Sequence, residues 1–73
     1  MYYTQRLKEI REKSELTQQE IADGLGIARQ QYRRYEAGIN EIKAGHIIRL
    51  CNYYNLSADY ILALTDEPRE LHK

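Results

Sequence analysis

Five hydrogen-bonding side chains lie close together in the middle of this chain, at Arg29, Gln30, Gln31, Arg33 and Arg34, with no acidic residue among them. An arginine can donate two hydrogen bonds to O6 and N7 of guanine, and a glutamine can pair bidentately with N6 and N7 of adenine. The segment therefore carries side chains able to read base edges in a major groove. The alternative is an ordinary solvated helix face, which is what most polar helix faces are.

The segment that carries these side chains is expected to be a helix with two distinct faces. At about 100° per residue, the stretch from Ala28 to Glu36 places Tyr32 and Tyr35 on one side, facing a core. The opposite side collects Gln30, Arg33 and Arg34, with Arg29 and Gln31 flanking them. Gly38 is a typical glycine at a helix C-terminus, so we expect the helix to end there.

A capped helix and a glycine turn precede this segment. Thr17, followed three residues later by Glu20, predicts a capping box in which each side chain satisfies a free backbone N–H of the first turn. Gly26 stands where a left-handed residue would end the helix and reverse the chain, while Gly24 weakens the helix locally. Residues 17–36 thus predict a helix-turn-helix unit, whose second helix enters a DNA groove by its N-terminal half.

Three further segments have the pattern of amphipathic helices, and no strand-like alternation stands out. One covers about residues 3–14, with its lysine, arginine and glutamate side chains on the face opposite Leu7 and Ile10. Another covers about residues 44–54. The last starts at Ser57, a good N-cap, and carries Tyr60, Ile61 and Leu64.

The length and helix pattern predict one compact all-α domain of five helices over residues 1–73. We expect residues 66–73 to be a frayed tail. No apolar run is long enough to span a bilayer, and the start of the chain lacks a secretory signal, so a cytoplasmic location is expected.

The charge balance does not by itself indicate a nucleic-acid partner, because 11 Lys and Arg face 11 Asp and Glu. The local distribution is uneven, however. The stretch from Asp59 to Glu70 carries four acids and one arginine, whereas the segment around Arg33 carries only cations. This asymmetry is typical of a protein with one surface that faces a polyanion.

Little in the sequence indicates an enzyme or a cofactor site. His46 and His72 lie far apart, with no cysteine or carboxylate at the spacing of metal ligands. The single cysteine, Cys51, falls on an apolar helical stripe, where a small buried residue is the favoured interpretation. No glycine-rich phosphate loop or nucleophile motif is present, and no small-molecule ligand is evident.

Five stretches, spread over nearly the whole chain, resemble the Cro and phage-repressor family of bacterial helix-turn-helix regulators. They read RLKEIR from Arg6, LTQQEIA from Leu16, LGIAR from Leu25, YEAG from Tyr35 and LSADYIL from Leu56. The resemblance implies a five-helix, lambda-repressor-like fold whose second and third helices form the DNA-binding unit. It also implies sequence-specific binding to double-stranded DNA, as a dimer on two half-sites.

The resemblance also implies which residues contact DNA. Gln18 matches a family glutamine that contacts a phosphate, and positions 28–31 and 33–34 match the base-reading and adjacent backbone-reading positions. Of these we assign Arg29, Gln30 and Arg34 to base edges. The complete candidate set is Thr17, Gln18, Ala28, Arg29, Gln30, Gln31, Arg33, Arg34, Asn40 and Lys43. Arg11 and Glu36 match a structural ion pair between the first helix and the end of the recognition helix.

Two departures from the family are visible. Ala28 replaces the serine or threonine that often caps the recognition helix, which removes a cap worth about 1 kcal/mol. Asn40, Glu41 and Ile42 stand where a proline-containing turn is frequent, so the path of that loop cannot be carried over.

Two functions compete. The first is a sequence-specific transcriptional regulator, expected to be a repressor, that binds a palindromic operator as a homodimer through Tyr60, Ile61, Leu62 and Leu64. The alternative for these four residues is the core of the monomer. The second function is a protein-interaction module of the same fold, antitoxin-like or anti-repressor, which the zero net charge favours slightly and the exposed arginines oppose.

Overall fold

The computed structural model describes residues 2–72, so that Met1 and Lys73, the ends of the predicted domain, lie outside the described residues. The all-α prediction is confirmed, because the described residues contain helices and turns but no strand. The order along the chain is α1 (Tyr3–Lys13), α2 (Gln18–Leu25), α3 (Arg29–Ala37), α4 (Ala44–Tyr54) and α5 (Ala58–Ile61).

The core lies where the apolar faces of these helices meet. Tyr32 and Tyr35 of α3 are both buried, at 0% and 2% exposure, as the two-faced pattern predicted. Burial of two such rings removes a large apolar area from water and fixes the rotation of α3 about its own axis. The other buried hydrophobic residues are Leu7, Ile10, Ile21, Ala22, Leu25, Leu50, Cys51, Tyr60 and Ile61.

The start of α2 has the predicted capping box. Thr17 Oγ1 accepts a hydrogen bond from the backbone N–H of Glu20 at 3.1 Å, and Glu20 Oε1 accepts one from the N–H of Thr17 at 3.0 Å. The helix ends at Gly26, whose φ of 72° lies in the left-handed region that glycine adopts without strain. This turn brings the chain into α3 after only two further residues.

The second helix also packs closely against α4, and Gly24 makes this approach possible. A Cβ atom at Gly24 would lie 2.3 Å from Cε2 of Tyr53, which is much shorter than a van der Waals contact. Arg49 of α4 donates a hydrogen bond to the carbonyl of Leu25 at 2.8 Å, at the negative end of the α2 dipole. The sequence indicated only that Gly24 weakens the helix, whereas the structure shows that the absent side chain leaves room for the ring of Tyr53, which is 45% exposed.

The last helix is shorter than expected. Four residues of α5 are helical, and Ala63 then takes a positive φ of 61°, so that Leu64 lies beyond the helix rather than on it. Ser57 does not cap the helix with its side chain as predicted, because its hydroxyl donates to the carboxylate of Asp59 instead.

Residues after α5 return along the connection between α4 and α5. The N–H of Ser57 donates to the carbonyl of Arg69 at 2.8 Å, and Asn55 pairs with the N–H groups of Leu71 and His72 at 3.3 and 2.8 Å. The expected fraying of residues 66–73 stays a prediction, and Lys73 lies outside the described part of the chain.

Arg6 corrects the expectation that the charged side chains of α1 lie on its outer face. Its side chain is 2% exposed and donates to the carbonyls of Tyr60 and Thr65, at 2.6 and 3.0 Å. A third hydrogen bond reaches Asp66 Oδ1 at 2.9 Å, and the guanidinium lies 4.1 Å from the centre of the Tyr60 ring. Arg6 therefore joins α1 to the end of α5.

Candidate nucleic-acid interface

The end of α3 is fastened to α1 by a buried ion pair. Arg11 Nε lies 2.7 Å from Glu36 Oε2, and a second nitrogen of the guanidinium donates to Glu36 Oε1 at 3.1 Å. The Glu36 side chain is 5% exposed and the Arg11 side chain 13%. This two-bond geometry is the strong form of an arginine–carboxylate interaction, and it fixes both the position and the rotation of α3.

The surroundings of Glu36 favour its charged form. Burial acts to raise the pKa of Glu36, but the hydrogen bonds from Arg11 and the neighbouring side chains outweigh it, so the pKa lies below its usual value of 4.5. The Glu36 carboxylate in turn raises the pKa of Arg11. Burial, and then the nearby Glu36 carboxylate, raise the pKa of Tyr32 well above its usual value.

The polar side of α3 points outward. Arg29, Gln30 and Arg34 are exposed, while Gln31 and Arg33 are half-buried at the edges of the face. Arg33 Nε donates to Gln30 Oε1 at 3.1 Å across the surface of the helix. None of the five polar side chains enters the core, so the face is available to a partner.

Two candidate contacts at the start of α2 are engaged within the protein. Thr17 uses its hydroxyl oxygen as the helix cap, and Gln18 donates from its amide to Glu36 Oε1 at 3.3 Å. An amide nitrogen carries two protons, so Gln18 keeps one donor for a phosphate. Ala28, at the start of α3, is exposed and supplies no side-chain cap.

A shallow depression runs beside α3. It is lined by Gln30, Gln31, Arg34 and Tyr35 of α3 and by Asn40, Glu41 and Lys43 of the following loop. The loop is tied to α1, because the N–H of Ile42 donates to the hydroxyl of Tyr3 at 3.3 Å. The candidate residues Asn40 and Lys43 therefore lie next to the recognition helix, although the loop lacks the proline turn of the family.

Sequence reasoning missed a polar contact at the base of this depression. The hydroxyl of Tyr35 lies 2.7 Å from His46 Nδ1, and Gln31 Nε2 donates to the same hydroxyl at 3.3 Å. The apolar stripe of α4 gave no sign of this contact, because Tyr35 and His46 lie on different helices, α3 and α4, and meet only when these helices pack.

Comparison with known proteins identifies the family. A family model described as helix-turn-helix matches residues 7–61, from the second half of α1 to the end of α5. The chain belongs to this helix-turn-helix family. The resemblance drawn from its sequence is therefore confirmed, and α2 and α3, joined by the turn at Gly26, have the helix-turn-helix arrangement.

Relatives of this helix-turn-helix chain include proteins named as regulators. It is 39% identical over 66 residues to the HTH-type transcriptional regulator YobD of Bacillus subtilis, a match that covers 90% of this chain and 59% of YobD. It is 39% identical over 57 residues to the HTH-type transcriptional regulator ImmR of Bacillus subtilis, with 78% of this chain and 45% of ImmR covered. The chain thus spans about half the length of these relatives.

A phage repressor and a solved structure are also similar. The cryptic phage CTXphi transcriptional repressor RstR of Vibrio cholerae is 26% identical over 54 residues, which cover 74% of this chain and 49% of RstR. The crystal structure of a transcriptional regulator from Listeria innocua superposes with a TM-score of 0.80 and 23% identity, over 89% of this chain and 61% of that one. The second likeness confirms the five-helix fold.

The four residues expected at a dimer interface separate into two groups. Tyr60 and Ile61 belong to the core of the helix-turn-helix domain, at 7% and 0% exposure, so in this conformation they offer no surface to a second copy. Leu62 is half-buried, and Leu64 is 78% exposed. Of the four residues predicted at the dimer contact, Leu64 and part of Leu62 are therefore exposed to a second copy.

Cys51 lies in the core, at 5% exposure, and burial raises the pKa of its thiol. Within residues 2–72, no cluster of histidine, cysteine and carboxylate side chains has a geometry that could hold a metal ion. In the same part of the chain, every helix is too short or too polar to cross a membrane.

Proposed function

We propose that this chain is the DNA-binding part of a transcriptional regulator, and that it represses by placing α3 in the major groove of an operator. One observation carries the proposal: α3 turns both tyrosines into the core while Arg29, Gln30 and Arg34 remain exposed on its outer side. The names of the relatives support a regulator and do not favour the alternative of a protein-interaction module.

The side chains divide into base-reading and phosphate-contacting groups. Arg29, Gln30 and Arg34 project from the first two turns of α3, the part that reaches base edges in this motif. Contacts to phosphates fix the register on the duplex without reading sequence. We assign them to Thr17, Gln18, Ala28, Arg33, Asn40 and Lys43, which surround the base-reading group.

The functional form proposed is a homodimer on a palindromic operator. Two recognition helices about 34–36 Å apart match one turn of DNA, so a two-fold protein requires inverted half-sites. Leu64, at 78% exposure, is the apolar side chain we place at the contact. We further propose that the regulator acts in the cytoplasm, needs no cofactor and catalyses no reaction.

Selection of bound duplexes from a random library tests this function most directly. The expected result is a consensus of two inverted half-sites. Arg34→Ala should then weaken operator binding by about 1–3 kcal/mol and relax the preference at one position of each half-site. Arg69→Ala is the matched control, because Arg69 is 62% exposed and lies far from α3 in the sequence.

A salt series separates DNA recognition from other binding. Affinity for the operator should fall with salt in proportion to the number of phosphates that the protein neutralises. Equal binding of all duplexes by wild type and Arg34→Ala would contradict the assignment of base contacts. Sedimentation that finds only monomer, with and without operator, would contradict the homodimer.

A further inference from the structure

Three side chains form a hydrogen-bonded chain at the base of the depression beside α3. Gln31 Nε2 donates to the hydroxyl oxygen of Tyr35 at 3.3 Å, and this hydroxyl lies 2.7 Å from His46 Nδ1. Tyr35 is 2% exposed, so water has little access to its ring. Gln31 lines the depression and flanks the base-reading face, which places one end of the chain beside the proposed DNA surface.

The directions of the two hydrogen bonds depend on each other, because a hydroxyl has one proton to donate. The amide nitrogen of Gln31 can only donate, so the Tyr35 oxygen accepts from it and the hydroxyl proton is directed to His46. His46 Nδ1 accepts that proton only when the ring is neutral and carries its own proton on Nε2.

A proton on Nδ1 would make His46 the donor to the Tyr35 oxygen. The hydroxyl proton would then be free to turn toward Gln31, and this arrangement favours an amide oxygen, which can accept the proton, over an amide nitrogen, which cannot. The protonation of His46 thus biases which end of the Gln31 amide faces inward.

The orientation of this amide decides which bases it can recognise. When Nε2 is held by Tyr35, Oε1 is the atom left to face away from the protein, and an oxygen accepts hydrogen bonds only. In the major groove, adenine N6 and cytosine N4 are the donors, whereas guanine and thymine present acceptors.

We propose that Tyr35 and His46 position Gln31 with its amide oxygen outward, so that the base facing Gln31 is selected for a major-groove amino group, adenine or cytosine. This specificity role rests on the DNA-binding function proposed above. Tyr35 and His46 are positioning residues, since neither needs to touch the DNA.

The charges around His46 hold its ring neutral. Burial, and then the cations Arg49 and Lys43, keep the pKa of His46 below its usual value of 6.5. His46 also lies in the first turn of α4, where the helix dipole disfavours a cation. Tyr35 faces the ring from α3, and Arg34 and Glu41 line the depression next to Tyr35.

The experiment compares duplex selection by wild type, Tyr35→Phe and His46→Leu at about pH 7.5. Wild type should prefer adenine or cytosine by about fivefold at one position of each half-site, the effect of one net hydrogen bond. Both variants should retain the remaining consensus and show a preference of about twofold or less at that position.

Tyr54→Phe is the matched control, because the Tyr54 hydroxyl is buried and has no hydrogen-bond partner among the described residues. This variant should keep the wild-type preference of about fivefold for adenine or cytosine. His46→Leu alters a half-buried residue, so it carries the test if Tyr35→Phe folds poorly.

A selection at about pH 5 supplies a second readout. Protonated His46 should move the wild-type preference toward guanine or thymine at the same position, and neither variant should show this shift. An unchanged preference in Tyr35→Phe, or a loss of affinity spread evenly over all positions, would overturn the positioning role. Failure of wild type to enrich any duplex would instead overturn the DNA-binding function itself.

Discussion

The first helix carries two arginines that leave the solvent, and they are compensated in different ways. Arg11 pairs with a buried carboxylate, Glu36, at 2.7 Å. Arg6 is more deeply buried, yet it shares its hydrogen bonds between two backbone carbonyls, at 2.6 and 3.0 Å, and the carboxylate of Asp66, at 2.9 Å, which is 93% exposed. A second carboxylate, that of Glu9, lies 3.8 Å from its Nε and is 32% exposed. One arginine positions the recognition helix, and the other positions the end of the domain.

This difference determines what a substitution leaves behind. Removal of Glu36 would leave a guanidinium buried without its counter-ion, which is among the costly changes in a protein interior. Removal of Arg6 would take a donor from two neutral carbonyls, of which that of Tyr60 still accepts from the N–H of Ala63 at 3.0 Å, so the penalty for each group is smaller. The partner that remains, rather than the charge that is lost, sets the expected order of effects.

The largest effect is expected for Glu36→Ala. The variant should lose about 3–5 kcal/mol of unfolding free energy, because Arg11 keeps its charge in a site that is 13% exposed. Urea denaturation followed by circular dichroism measures the change. Glu70→Ala, at an exposed position, is the control and should stay within about 0.5 kcal/mol of wild type. A Glu36→Ala protein as stable as wild type would show that the pair contributes nothing.

The next largest effect is expected for Arg6→Met, which keeps much of the side-chain volume but removes every donor. The side chain of Arg6 makes three hydrogen bonds, to the carbonyls of Tyr60 and Thr65 and to Asp66, so their loss should lower stability by about 2–4 kcal/mol. Lys8→Met, an exposed change on the same helix, should cost little. Hydrogen exchange should accelerate first at α5 in the Arg6 variant. Faster exchange at α3 instead would contradict the division of roles between the two arginines.

A pH titration of stability distinguishes the two sites without removing either arginine. The pKa of Glu36 is lower in the folded protein, so its contribution is complete above the unfolded value near 4.5 and is lost as the pH falls through the folded value. Thermal melts should therefore show a loss of stability in acid that is smaller in Glu36→Gln. The same acid loss in both proteins would assign it to other carboxylates.

The smallest effect is expected for Asp66→Asn. Asp66 is 93% exposed, so water screens its attraction to Arg6, and the change should cost less than about 1 kcal/mol. Denaturation in low and high salt measures this, and wild type should approach the variant as salt rises. A loss comparable to that of Arg6→Met would mean that the carboxylate, not the carbonyls, holds Arg6 in place.

Much of the fold could be predicted from local sequence. The capping box at Thr17, the reversal at Gly26 and the two faces of α3 are set by residues close together in the chain, so their patterns carried the prediction. The exposed base-reading face followed from the same periodicity. Each of these features is local structure that a short stretch of sequence determines.

The features that escaped prediction join residues far apart in the chain. Arg6 and Tyr60 are separated by 54 positions, and no local pattern marks an arginine that will be buried by a later helix. Tyr35 and His46 are on separate helices, and the contact between Gly24 and Tyr53 exists only once α2 and α4 have packed. The hydrogen bond from Ser57 to Asp59, by contrast, is local, between residues two positions apart, and it takes the hydroxyl that the sequence assigned to the helix cap.

The contact at Gly24 has a consequence for redesign of this domain. The outward side chains of α3 could be exchanged to address other duplexes, because they are not part of the interface between α2 and α4. Position 24 is coupled to Tyr53, since a methyl group there would displace the aromatic ring, which is 45% exposed, from its place against α2. A substitution at Gly24 would therefore alter the surface formed by α2 and α4, whereas the outward side chains of α3 can be changed without this rearrangement.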